Sequence, residues 1–211
     1  MSQANERLLA DPEYLASINE DLKEEGLEYK GTADPKHLLW IIAEDLGIDF
    51  LESKLVKKLD GVKLAPFYGC YIVRPSKALG FEENPGRKQA LEEIIETVGG
   101  EVVDFPGKTL CCGFPILTIN PENSVNMVAN HTIDAKDRGA DAMVTPCPLC
   151  HLNLDGYQPN AASARKREID LPIIHLPQLL GLALGISPEK MRLNKHIVST
   201  KKLLSELVIS P

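Results

Sequence analysis

The sequence is notable first for what it lacks. It has no Lys/Arg-rich tract, and 23 Lys+Arg against 30 Asp+Glu leave a formal net charge of -7. That balance argues against nucleic acid or an anionic membrane surface as the main partner. The opening MSQANERLLADPEY has no basic stretch followed by an apolar one, so no secretory signal is predicted and a cytoplasmic location is expected. No run is suited to crossing a bilayer. The most apolar one, Leu171 to Ile186, is 16 residues long and interrupted by Pro172, His175, Pro177 and Gln178, which reads as a buried strand leading into a buried helix. Low-complexity segments and internal repeats are also missing. Cysteine is scarce and odd in number, with five in 211 residues. In a reducing compartment that count does not describe a disulfide framework.

What is present is an apolar fraction of 44%, enough for one full domain and a smaller accessory segment. Residues 1–60 read as a helical N-terminal segment. Leu15, Ile18 and Leu22 recur at helical spacing between Glu13 and Glu25, and a second helix led by Asp34 and Pro35 carries Leu38, Leu39, Ile41 and Ile42. Residues 61–211 change character. Strands are predicted at 62–68, 101–105, 141–146 and 171–176, and helices at 88–98, 122–138, 149–158 and 177–184. Four strand-to-helix successions predict an α/β fold, a parallel sheet flanked by helices. Gly99 and Gly139 fall where C-terminal helix caps are expected before the next strand.

All five cysteines fall at or beyond the carboxyl ends of the predicted strands: Cys70 after the first, Cys111 and Cys112 after the second, Cys147 after the third and Cys150 as the next helix opens. In an open parallel sheet that edge binds ligands. Adjacent cysteines such as Cys111 and Cys112 close only a strained disulfide with each other, so their sulfurs must serve something else. Three chemistries suit such thiols. A structural zinc takes four and leaves one unexplained. A dithiol site would use Cys147-Pro148-Leu149-Cys150 alone. An iron–sulfur cluster of more than one iron accommodates all five, and the spacing favours it.

The pattern Cys70, Cys111-Cys112-Gly113, Cys147-Pro148-Leu149-Cys150 resembles the cysteine-rich CCG domain of the heterodisulfide reductase B subunit and its relatives. The phrases YGCYIVRP, TPCPLCHLNLD, LPIIHLPQLLGLALG and LNKHIV are similar to the second of that subunit's two CCG repeats, and EEGLEYKGT resembles the connector before it. The resemblance implies a noncubane [4Fe-4S] cluster held by Cys70, Cys111, Cys112, Cys147 and Cys150, with Cys111 and Cys112 serving different irons and the same residues carrying the catalysis. It further implies an iron–sulfur subunit of a heterodisulfide reductase-like oxidoreductase, inactive alone, acting on a disulfide or thiol. Its partners would be a ferredoxin-type iron–sulfur subunit and a flavin-containing subunit. The departure is that this chain has cysteines for one repeat, so either a second polypeptide supplies the other cluster, or the protein works with one, or it is a truncated unit; the cysteine edge is expected to be covered by another cluster-bearing subunit or by a copy of this chain in a homodimer. The alternative is a zinc-bound structural or assembly domain of a redox complex. Residues of lower weight are His151 and His175, which sit at the same edge, Arg74, which suits an anionic partner or solvent, and Trp40, expected in the core or an interface. Val73 to Asn84 is the expected lid.

Overall fold

The computed structural model describes residues 2–208. The chain starts with α1 (Ser2–Ala10) and α2 (Pro12–Leu22). Asp11 caps α2 by accepting from Tyr14 N at 2.9 Å, with Pro12 at the first helical position, where its missing N–H costs nothing. A 3-10 turn (Lys23–Glu25) and Gly26, at φ +69, end this run. The next helix starts later than Asp34 and Pro35 suggested. His37 is its cap, its Nδ1 accepting from Leu39 N at 3.1 Å, and the helical run passes through α3 (Leu38–Trp40), a π-helical stretch (Ile41–Gly47) and α4 (Ile48–Lys54). Its inward face places Leu39, Trp40, Ile42 and Leu51 in the same hydrophobic core as the sheet. Trp40 is thus a core residue, edge-on to Phe81 at 5.7 Å with the Arg87 guanidinium 5.2 Å over its ring.

The sheet contains β1 (Lys63–Pro66), β2 (Glu101–Val102), β3 (Ala142–Thr145) and β4 (Ile173–His175), all parallel in the order β2-β1-β3-β4. Each lies inside its predicted range. β3 is buried at every position, as a central parallel strand covered on both faces must be. Between the strands run α5 (Ala90–Thr97), α6 (Pro121–Asp137), and the pair α7 (Pro148–Gly156) and α8 (Gln158–Arg165). α9 (Leu176–Ala183) follows β4, and α10 (Lys201–Val208) closes the described chain. Gly99 and Gly139, at φ +95 and +91, occupy the left-handed positions expected after α5 and α6.

The strand order places the site. From β1 the chain crosses to β2 on one side, then returns past β1 to β3 on the other. Right-handed crossovers therefore put α5 on one face and α6 to α8 on the opposite face. Ile95 of α5 and Leu64 of β1 accordingly meet over Gly100, while α6 packs against α7 and α8. The reversal leaves a crevice at the carboxyl ends of β1 and β3, where open α/β sheets bind their ligands.

Candidate metal centre

Cys70 leaves β1 and Cys147 leaves β3, one on each side of that crevice, and the β2 loop brings Cys111 and Cys112 between them. Backbone hydrogen bonds tie the loops together. Tyr68 N and Gly69 N both donate to Lys108 O, at 2.8 and 3.2 Å. The Lys108 ammonium binds Glu92 at 2.9 Å and Asp104 at 2.6 Å, and Glu92 also accepts from the buried Tyr68 hydroxyl. Burial and Glu92 push the Tyr68 phenol above its ordinary range, so it stays a hydrogen-bond donor.

The remaining supports come from α6 and α7. Asn153, fully buried, donates to Cys112 O at 2.8 Å and to the Ser124 hydroxyl at 3.3 Å. His131 Nε2 lies 2.9 Å from Cys111 O, and burial lowers its pKa, keeping the ring neutral. Cys147 is the N-terminal cap residue of α7, and its N–H donates to Thr145 Oγ1 at 3.3 Å. Two glycines are required here. A Cβ on Gly69, at φ +71, would come within 2.6 Å of the Cys150 sulfur, and one on Gly113, at φ +96, within 2.9 to 3.0 Å of Ser124.

All five thiols are free and fall into two groups joined through the Cys111–Cys112 backbone. Cys70 pairs with Cys111, while Cys112 and Cys147 each pair with Cys150. The vicinal cysteines thus point to different neighbours, as their adjacency requires. Burial, followed by the negative field of Cys111, pushes Cys70 up to about 11. Cys147 is lowered to about 6 by hydrogen bonding from Cys150, with help from the Leu149 and Cys150 N–H groups of the first helical turn. Cys112 is likewise lowered by Cys150, and Cys150 is raised because it shares its proton with both neighbours. Among the described residues no three or more His, Cys, Asp and Glu side chains form a group that could hold a metal ion. The five thiols number one more than the four ligands of a tetrahedral zinc, and thiolates are also the ligands of iron–sulfur centres.

Two clefts flank the thiols. One, of about 640 Å³, has Tyr68, Val73 and Phe81 on its walls with Arg74, Ser76 and Lys88 beside them. The segment expected to act as a lid therefore forms one wall of a cleft next to Cys70. On the other flank the His151 ring lies 4.7 Å from that of His196 and 6.0 Å from that of His175, whose Nε2 is 3.3 Å from Pro146 O. Sequence reasoning missed Asn153, His131, Ser124, Lys108, Glu92 and His196. Only Asn153 carried a readable signal, one helical turn after Cys150.

The comparisons with known proteins agree with this geometry. Residues 64–155 match the CCG cysteine-rich domain. The chain is 37% identical over 186 residues to the membrane anchor subunit of the 8-methylmenaquinol:fumarate reductase of Wolinella succinogenes, covering 88% of this chain and 64% of that one. It is 34% identical over 212 aligned positions to the B subunit of the ferredoxin/F(420)H(2)-dependent CoB-CoM heterodisulfide reductase of Methanosarcina acetivorans, covering 98% and 69%. A protein of Archaeoglobus profundus described as like the heterodisulfide reductase B subunit is 31% identical over 90% of this chain and 65% of its own. The chain thus spans about two thirds of the length of these relatives (64 to 69%). A crystal structure of a hypothetical protein from Helicobacter pylori superposes with a TM-score of 0.71 over 93% of this chain and 35% of that one, at 19% identity, a likeness of fold alone. By its cysteine pattern, its sheet and these relatives, the chain belongs to the CCG-domain family of heterodisulfide reductase B subunits.

Proposed function

We propose that Cys70, Cys111, Cys112, Cys147 and Cys150 hold a noncubane [4Fe-4S] cluster, and that the chain is an iron–sulfur subunit of a heterodisulfide reductase-like oxidoreductase complex converting a disulfide, thiol or related sulfur compound. The observation that carries this reading is the gathering of five free thiols on the loops at the switch point of the sheet, one more than a tetrahedral zinc takes. When bound, such a cluster supplies electrons one at a time. Opening a disulfide consumes two electrons and two protons and releases two thiols. The protein must therefore hold its substrate between two transfers. The cleft beside Cys70 is suited to that task, since Val73, Phe81 and Tyr68 receive an aliphatic portion while Arg74 and Lys88, which outnumber the lining's one carboxylate, Glu82, face an anionic one. Lys108 and Asn153 keep the cysteine loops in place by holding their backbones.

Two relatives are named as subunits of heterodisulfide reductases and one as a subunit of a fumarate reductase, which supports work within a complex. The partners proposed are a ferredoxin-type iron–sulfur subunit and a flavin-containing one, with a second CCG domain or a copy of this chain over the cysteine edge. No helix among the described residues is long and apolar enough to cross a membrane. The test is anaerobic purification followed by iron, sulfide and zinc analysis. About four irons and four sulfides per chain are expected. One zinc and no iron would replace this reading with a zinc-bound scaffold.

A further inference from the structure

A second cleft, of about 380 Å³, lies beside Cys150 rather than Cys70, bordered by His151, Leu152, Arg192, Lys195, His196 and Ile197. It begins one residue from a cysteine: His151 follows Cys150, and its N–H donates to Cys147 O at 3.0 Å. His151 packs edge-on against His196. His196 is held in turn by Gln178, whose Nε2 lies 2.9 Å from His196 Nε2 and donates to Met191 O at 3.1 Å, while its Oε1 accepts from His175 N at 3.0 Å. A fixed pair of rings thus leads from the first turn of α7 to the surface.

The rim of this cleft differs from the rest of the molecule. Its lining has two cations, Arg192 and Lys195, and the flanking chain from Pro188 to Leu203 adds Lys190, Lys201 and Lys202, the last paired with Glu206, against Glu189, in a protein of net charge -7. The side chains of Arg192 and Lys195 are exposed and make no ion pair among the described residues. Asp155, the carboxylate lining the cleft, is buried and neutralises neither, since its oxygens accept from Ile197 N at 2.8 Å and Val198 N at 3.0 Å. At the centre stand two large apolar side chains, Leu152 at 58% and Ile197 at 63% exposure. In the cleft beside Cys70, by contrast, Phe81 is buried. Recessed apolar walls receive a small molecule, whereas protruding apolar side chains ringed by unpaired cations are what a protein surface of opposite charge covers.

We propose that the face around Leu152 and Ile197 is the docking surface for an acidic electron-carrier protein. The inference rests on the cluster reading above. In each encounter one electron leaves the reduced carrier and one is gained at the thiol-held centre, and no bond is made or broken. Arg192 and Lys195 steer and orient the carrier, while the first turn of α7 provides the short route inward.

The experiment uses the iron-loaded chain, a reduced plant-type [2Fe-2S] ferredoxin as the acidic carrier, and reduced methyl viologen as a small cationic reductant, followed by stopped-flow absorbance. The ferredoxin rate is expected to fall with added salt. The double variant Arg192→Glu/Lys195→Glu should lower the rate roughly tenfold or more and flatten its salt dependence, leaving iron content and the viologen rate unchanged. Lys57→Glu/Lys58→Glu, the same change of charge near the amino-terminal edge of the sheet, should leave all three unchanged. The contact is also readable without electron transfer. Methyl resonances of Leu152 and Ile197 should shift when oxidised ferredoxin is titrated at low salt. A chain that takes up no iron, or that viologen does not reduce, refutes the cluster reading itself. A chain that viologen reduces normally, but whose double variant accepts electrons from ferredoxin as fast as the wild type, or whose shifts fall on other faces, overturns the docking inference alone.

Discussion

The two ends of the thiol set are built differently. Cys70 and Cys111 are half-buried and sit in loops, Cys70 between Tyr68 and Val73 of the larger cleft's lining, and burial with mutual repulsion keeps the Cys70 proton in place. Cys112, Cys147 and Cys150 are buried, two of them belong to the start of α7, and hydrogen bonds among them favour the thiolate at Cys112 and Cys147. The buried end is held from the helix and the sheet, by Asn153 under Cys112 and Thr145 under Cys147, whereas the half-buried end is held by its loops, through Lys108 O, and by His131 under Cys111. One end is thus buried and tied to a helix start, which suits it to anchor the proposed centre. The other is the end at which the proposed centre would meet its substrate.

This contrast can be broken most sharply by exchanging one cysteine from each end. Cys112→Ser puts a weaker, harder ligand into a dry position that water does not reach, so more than about half of the four irons expected of such a cluster should be lost. Cys70→Ser sits where solvent supplies a substitute ligand and should retain more iron with an altered absorption spectrum. Equal losses in the two variants, or an unchanged spectrum in Cys112→Ser, would remove the distinction. A smaller effect is expected from Gly69→Ala. The new Cβ meets the Cys150 sulfur at 2.6 Å in a left-handed backbone conformation, and such strain costs of order 1–3 kcal/mol. Lower iron occupancy and a lower thermal midpoint than wild type are the expected readouts. An unchanged variant would show that the β1 exit has slack that the anchor does not need.

Much of this arrangement was readable beforehand because strands and cysteines alternate along the chain, and each cysteine follows a run that could only be a buried strand. Strand ends were less legible. β2 shrinks to Glu101–Val102 because it is an edge strand with β1 as its one neighbour. The helix expected over 149–158 stops at Gly156, and α8 starts anew at Gln158, where Pro159 fits a first turn but not an interior. α1 falls in the segment read as helical without being singled out, α8 and α10 were not foreseen, and the cap expected at Asp34 falls to His37, whose ring reaches Leu39 N. The supports were the least visible. His131 lies twenty residues beyond the Cys111 carbonyl it binds, and Glu92 meets Tyr68 and Lys108 only once the sheet is assembled. Such partners are set by crossover geometry, which no local pattern announces. The docking rim was likewise passed over, because its cations are dispersed among apolar residues rather than gathered in a run.

The most limited perturbation separates the substrate role proposed for the open end from its proposed share in metal binding. Arg74 is exposed, lines the cleft beside Cys70, and makes no ion pair among the described residues. Its guanidinium is therefore available for an anionic group on the substrate, bidentate if that group is a carboxylate or sulfonate. A hydrogen bond to a charged group contributes about 1.5–3 kcal/mol, and solvent at this open site places the effect near the lower limit, roughly a tenfold change in affinity. Arg74→Ala should weaken binding of a dianionic disulfide such as dithiodiglycolate to the iron-loaded chain by about that factor. Arg74→Lys should recover part of the loss, and iron content should be unchanged in both. A neutral disulfide of the same length should bind the wild type and Arg74→Ala alike. If the alanine variant loses iron instead, the arginine supports the centre and not the substrate. If the neutral and dianionic disulfides weaken together, the cleft selects by shape, and charge recognition at this end of the thiol set is ruled out.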